Sequence, residues 1–233
     1  MTISLALNPF IPIIGVICIA ISIGFATYFF NSKQVVIRKL SKILPKPIGS
    51  LKTNELSKIT GKALHVKEPL FAPFSKRPCI FYSIKIQQKR SNGKSTYWKT
   101  IVKEEKFHEF FVKRNRDYVI VQPTQIPKNY LSHLVVDKKV SSGMFNDPTP
   151  EFLQLLKSYN ITSTGILGFN KSLRYKEAII EIGEQITVAG IAKWKTLSQP
   201  IEGYSYSKIA ALESTEKQKL IITDLPLNPR NRR

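Results

Sequence analysis

The run Phe10–Phe30 carries no charged side chain and is apolar on every face of a helix, whereas everything after it alternates apolar with polar positions over short stretches. A helix rises about 1.5 Å per residue and the hydrocarbon core of a bilayer is roughly 30 Å thick, so the run predicts one membrane-spanning helix. A secretory signal peptide would have a positive segment before a shorter apolar run, and small residues at a cleavage site. Residues 1–9 are uncharged, and the run leaves through Phe25-Ala26-Thr27-Tyr28-Phe29-Phe30. A buried core helix is the other alternative, but such a helix is seldom apolar all round for this length. Pro12 falls in the first turn, where its missing amide hydrogen costs nothing.

Beyond the span, Val35, Val36, Leu40, Ile43 and Leu44 have loosely helical spacing that Pro45, Pro47 and Gly49 interrupt, and a second short helix is expected from Ser50 with Leu51, Leu56 and Ile59. From Gly61 the pattern changes to alternating runs rich in β-branched and aromatic residues, which predict strands at 62–66, 79–89, 96–107, 110–113 and 118–121. Ser91-Asn92-Gly93 predicts a hairpin turn. A strand at 134–140 precedes a break at Gly143. Thr149 then caps a helix that starts at Pro150, carries Phe152, Leu153, Leu155 and Leu156 as its apolar stripe, and ends near Asn160. Further strands are expected at 173–182, 185–197, 209–212 and 219–223, with Gly183-Glu184 joining two of them tightly. The fold class is therefore an N-terminal transmembrane helix plus a mainly β (α+β), two-lobed soluble domain with one short helix. Its expected parts are an anchor region (1–31), a basic juxtamembrane connector (32–58), a β-rich domain (59–224) and a basic tail (225–233).

Charge sharpens the topology. Lysine and arginine number 36 against 16 acids, a formal charge of +20, and the first charged side chain is Lys33, past the span. Lys33, Arg38, Lys39, Lys42 and Lys46 follow the span directly, so the positive-inside rule places the N-terminus outside and the domain in the cytoplasm. These five are the expected membrane-surface residues, each attracted to an anionic leaflet by about 1 kcal/mol. Cys18 lies in the span and Cys79 in the domain, so no intrachain disulfide is expected, which fits a reducing compartment.

Candidate chemistry is sparse. Gly93-Lys94-Ser95 matches the end of a P-loop, but Gln88 stands where the earlier glycine belongs and a hairpin surrounds it. His65, His108 and His133 lack metal-ligand spacing, no catalytic constellation is present, and no cofactor or metal is expected. Cys79, in an apolar strand, is expected to be buried and inert. Trp98 beside Lys99, and Trp194 between Lys193 and Lys195, interleave aromatics with cations as single-strand-binding barrels do, although amphipathic strands produce the same pattern. Glu177, in Arg174-Tyr175-Lys176-Glu177, is expected to pair with Arg174 rather than to act as an acid catalyst.

Several separated blocks together resemble the GIDE domain, also called BAM for "beside a membrane". They are Gly61-Lys62-Ala63, Pro69-Leu70-Phe71-Ala72-Pro73, Pro78-Cys79-Ile80-Phe81-Tyr82, Trp98, the stretch 110–123 ending at Pro123, Arg174-Tyr175-x-Glu177, and Gly183-Glu184 leading to Val188 and Gly190. The resemblance covers roughly 56–224. It implies kinship with membrane-anchored E3 ubiquitin ligases of mitochondrial and chloroplast outer membranes, and with bacterial proteins of unknown role. The ligases also carry a second span and a C-terminal RING. Here no cysteine follows Cys79 and no histidine follows His133, so no RING, and no ligase activity by that route, is expected. Arg114 and Asp117 stand where the family usually has an Asp and then a Gly. A bacterial member is expected, acting as a membrane-anchored binding or scaffold module with anionic lipids and a protein partner. The alternative is a basic OB-like module that binds single-stranded nucleic acid near the membrane.

Overall fold

The computed structural model describes residues 10–165, 168–197, 204 and 206–226. The uncharged segment 1–9 and the basic tail beyond Pro226 lie outside the described residues.

Helix α1 (Phe10–Phe30) buries none of the stretch Ile13–Phe30 against the rest of the chain. It is thus one helix long and apolar enough to cross a membrane, and it is not a core helix. Its few hydroxyls turn inward: Ser22 Oγ donates to the Cys18 carbonyl at 2.7 Å and Thr27 Oγ1 to the Gly24 carbonyl at 2.9 Å. Both hydroxyls are thus satisfied within the helix, without water. Asn31 then breaks the helix in an extended conformation (φ −63°, ψ 126°), and its side chain accepts from the Lys33 amide to start α2 (Ser32–Ser41). Val36 and Leu40 of α2, with Ile43, pack on Ala189, Ile221 and Leu131, and Lys58 Nζ donates to the Leu40 carbonyl at the helix end. The expected connector is a docked helix.

Among the described residues twelve strands and one further helix follow: β1 (Leu56–His65), β2 (Leu70–Phe71), β3 (Pro78–Ser91), β4 (Thr96–Phe107), β5 (Phe110–Arg114), β6 (Asp117–Val121), β7 (Tyr130–His133), β8 (Lys138–Ser142), α3 (Pro150–Ser158), β9 (Leu173–Glu181), β10 (Gln185–Thr196), β11 (Lys208–Glu213) and β12 (Leu220–Thr223). Strands β1, β5, β6, β11 and β10 pair in that order, and β10 pairs back to β1, closing a five-stranded ring. All its pairs are antiparallel except β6 with β11. This is a Greek-key barrel of the OB type. Two glycines make the closure possible. A Cβ at Gly61 would collide with the Lys113 carbonyl, and one at Gly190 would lie 2.7 Å from Leu220 Cδ2 and 2.9 Å from the Glu213 carbonyl. Both stand where a strand exchanges one partner for another. Strands β12 and β7 extend the ring from β10, and α2 lies against them.

The second sheet is built from two excursions out of the barrel, β2–β4 before β5 and β8–β9 before β10. It is antiparallel, with β3 between β9 on one edge and β2 and β4 on the other, and with β8 outside β9. Helix α3 covers one face through Phe152, Leu155 and Leu156, which pack on Ile84, Ile86, Leu173 and Tyr175. On the other face Phe81, Ala178 and Ile180 join the barrel core with Val112, Val188 and Leu212.

Two expected elements change. The helix expected from Ser50 is a single 3-10 turn (Ile48–Ser50), and Leu56 and Ile59 belong to β1, where burial of Ser57, Ile59 and Ala63 follows a strand's period of two. The strand expected at 134–140 starts only at Lys138, as β8, and residues 134–137 are a crossover between β7 and β8, which lie in different sheets. Here the Val135 amide is taken by the Asp224 carboxylate at 2.9 Å instead of a ladder partner.

Candidate functional site: a cationic cleft at the end of the apolar helix

The barrel-side face of the second sheet continues past the shared core, and there its side chains become polar. On this face Lys103 of β4 stands opposite Lys85 of β3, Lys85 opposite Lys176 of β9, and Lys176 opposite Lys139 of β8. Four lysines thus form one cross-strand row. Neighbouring strands are about 4.8 Å apart, and like charges directly opposite destabilise a sheet by roughly 0.2–1 kcal/mol a pair.

Three of the row, Lys85, Lys103 and Lys176, floor a cavity of about 330 Å³ whose other walls include Ser132, His133 and Leu134, and Ser32, two positions beyond the end of α1. Ser32 Oγ lies 3.1 Å from His133 Nδ1. Arg174 sits one pleat along from the row. Its Nε donates to Gln87 Oε1 at 2.7 Å and its guanidinium lies 4.1 Å from the centre of the Trp98 ring. The plane of the fork is therefore fixed, and its terminal amino groups have no partner among the described residues. The one carboxylate in the lining, Glu105, accepts from Lys128 at 2.5 Å and from Tyr130 Oη at 2.6 Å, with Lys103 at 3.5 Å. Burial works to raise its pKa, but those hydrogen bonds and the lysine charges outweigh it and hold the group below its ordinary value. Among the described residues no carboxylate pairs with Lys85, Lys176 or Lys139. Burial, with the charges of Arg174, Lys139 and Lys85, lowers the Lys176 pKa; burial, with Lys33 and Lys85, lowers that of His133.

The connector cations divide into two groups. Lys33, Lys39 and Lys42 are exposed. Arg38 donates to the Phe29 carbonyl, and Lys46 pairs with Glu55. Both are half-buried and engaged within the chain.

The residues that carry the sequence resemblance serve the architecture. Glu177 is fully buried and does not pair with Arg174, because residues three apart on a strand point to opposite faces. It accepts from the Phe74 and Ser75 amides at 2.9 and 3.2 Å and from Tyr175 Oη at 2.7 Å. Pro73 opens the turn that presents those amides, so two blocks distant in sequence meet at one carboxylate. Tyr82 and Tyr159 both donate to Glu104, at 2.6 and 2.8 Å. Cys79 is buried and its thiol is pushed up to about 12, chiefly by burial, so it offers no thiolate. Gly61 and Gly190 close the barrel, Gly183 turns from β9 to β10 with φ +86°, and Pro123 is buried just after β6. Trp194 Nε1 donates to the Leu51 carbonyl at 2.9 Å.

Sequence reasoning missed the lysine row. Alternation of Ser83, Lys85 and Gln87 marked a polar face on β3, but only strand register aligns residues 85, 103, 139 and 176. Compared with protein-family models, curated proteins and solved structures, the chain finds no match.

Proposed function

We propose that the protein is a single-pass, membrane-anchored binding or scaffold module of the GIDE kind. Its N-terminus is outside, and its two-lobed domain, with barrel and second sheet as the lobes, lies against the anionic cytoplasmic face. The observation that carries this reading is the docking of α2. It is capped by Asn31, clamped to the end of α1 through Arg38, and packed by Val36 and Leu40 on the barrel, so the span and the basic domain are joined without a loose linker. Exposed Lys33, Lys39 and Lys42 follow α1 directly, the stretch of the soluble part best placed to feel a leaflet potential that decays over a Debye length of roughly 8 Å. Ligase activity is no part of this reading.

The test is lysine footprinting of the full chain in nanodiscs. In discs containing phosphatidylglycerol, Lys33, Lys39 and Lys42 should be protected from an aqueous acylating reagent relative to discs of pure phosphatidylcholine, whereas Lys217 and Lys219 should not change. Uniform labelling in both discs would remove the reading.

The OB-type strand order favours a second reading, nucleic-acid binding, with Trp194 lining a pocket beside Tyr204, Tyr206 and Lys208. Trp98 is already stacked on Arg174. Single-strand binding with steep salt dependence that is lost in Trp194→Ala would establish this alternative.

A further inference from the structure

We propose that the cleft over the lysine row is a binding site for a phosphomonoester group, presented by a lipid headgroup at the membrane surface. This rests on the membrane-module reading and adds the ligand class.

Lys85 and Lys176 face each other across two strands, are flanked by Lys103 and Lys139, and have Arg174 in the next row. Glu105, the lining carboxylate, is already shared among Lys128, Tyr130 and Lys103. Among the described residues the central pair thus lacks a counter-charge, and folding has to bear its repulsion. A carboxylate or a phosphodiester brings one negative charge. A phosphomonoester brings about 1.5–2 and three acceptor oxygens, enough to accept from both central ammonium groups and from a guanidinium fork at once. Arg174 is pre-set for this by Gln87 and Trp98, so little rotamer freedom remains to be lost on binding. The pKa of Lys176, lowered first by burial and then by Arg174, Lys139 and Lys85, agrees with a cation crowded by others.

Location selects the source. Ser32 lines the cleft and follows α1 by two positions, so the cavity opens where the span leaves the hydrocarbon. A cavity of about 330 Å³ accommodates a headgroup, and the hydroxyls of Ser32, Ser83 and Ser132 stand ready to bind it.

The experiment is calorimetric titration of the full chain in neutral detergent micelles with four probes: short-chain phosphatidic acid, short-chain phosphatidylglycerol, short-chain phosphatidylcholine and inorganic phosphate. Phosphatidic acid should bind about tenfold or more tighter than phosphatidylglycerol, and phosphatidylcholine should not bind. Lys85→Gln with Lys176→Gln should weaken phosphatidic acid binding at least about tenfold while raising the melting temperature of the unliganded protein, because a like-charged pair is removed. A merely structural role for these lysines would not produce that opposition. Lys217→Gln with Lys219→Gln should leave binding unchanged. Inorganic phosphate binding as tightly as phosphatidic acid would overturn the lipid source in favour of a small soluble ester. Equal affinity for phosphatidic acid and phosphatidylglycerol, or binding indifferent to Lys85 and Lys176, would overturn the site. Because no bilayer is present, such a failure leaves the nanodisc footprint intact and is separable from failure of the membrane-module reading.

Discussion

Arg38 reaches back across the break between α1 and α2 to donate through Nη2 to the Phe29 carbonyl at 2.6 Å, and its guanidinium lies 4.8 Å from the centre of the Phe29 ring. One side chain thus satisfies a carbonyl orphaned at the end of the span and covers the aromatic ring beside it. A charge-assisted bond of this kind contributes about 1.5–3 kcal/mol. Arg38→Gln should loosen the corner without unfolding the domain, whose core does not depend on it. Paired spin labels at exposed positions 21 and 39 should report a broadened distance distribution in Arg38→Gln and a narrower one in Arg38→Lys.

Glu177 is the carboxylate whose loss should cost most. Its removal leaves the Phe74 and Ser75 amides and Tyr175 Oη without their acceptor. Each unpaired buried group costs about 1–3 kcal/mol, so Glu177→Ala should destabilise by roughly 3–5 kcal/mol, near 10 °C in melting temperature for a domain of this size. Glu177→Gln should lose less. Thermal unfolding in micelles checks this, and a change of a degree or two in Glu177→Ala would contradict the account of the buried turn.

Asp224 should give a stability term of the opposite sign from most carboxylates. Burial, with the charges of Glu184 and Asp137, raises its pKa to about 6, although the Val135 amide pulls the other way. The unfolded value is near 3.9, so between about pH 4 and pH 6 the native state binds more protons than the unfolded one. Its contribution to stability therefore falls as pH rises through that window and stays unfavourable above it. Asp224→Asn keeps an acceptor for Val135 and removes the charge. It should stabilise by on the order of 1–2 kcal/mol at pH 7.5, after a discount for partial exposure, and by nothing below about pH 4. Melting curves at the two pH values decide it.

What was legible in the sequence was local. The apolar helix at 10–30, the Thr149-Pro150 helix start and the Asn92-Gly93 turn each depend on residues a few positions apart, and all appear where expected. The strand expected at 134–140 holds only over 138–140, where β8 begins: Leu134-Val135-Val136 has strand propensity, but the Val135 amide is committed elsewhere, to a carboxylate 89 positions away. Pairing of Arg174 with Glu177 failed for a related reason. The true partners of Glu177 are amides in a turn 102 and 103 residues earlier, brought there by the pairing of β3 with β9. The lysine row is least legible of all, since each member reads as an ordinary solvated residue until four strands are placed in register. Of the five connector cations, burial leaves Lys33, Lys39 and Lys42 facing solvent and takes Arg38 and Lys46 into the fold.

The orientation of the domain can be measured directly through two natural sequons, Asn160-Ile161-Thr162 and Asn170-Lys171-Ser172. Asn160 is exposed just after α3, and Asn170 lies in the loop before β9. Synthesis of the full chain with microsomes should give protein that is membrane-integrated and unmodified at both sites, because a domain on the cytoplasmic face never meets the glycosylation machinery. Glycosylated product that shifts back on deglycosylation would place the domain on the opposite side, away from the cytoplasmic leaflet, and would contradict the account.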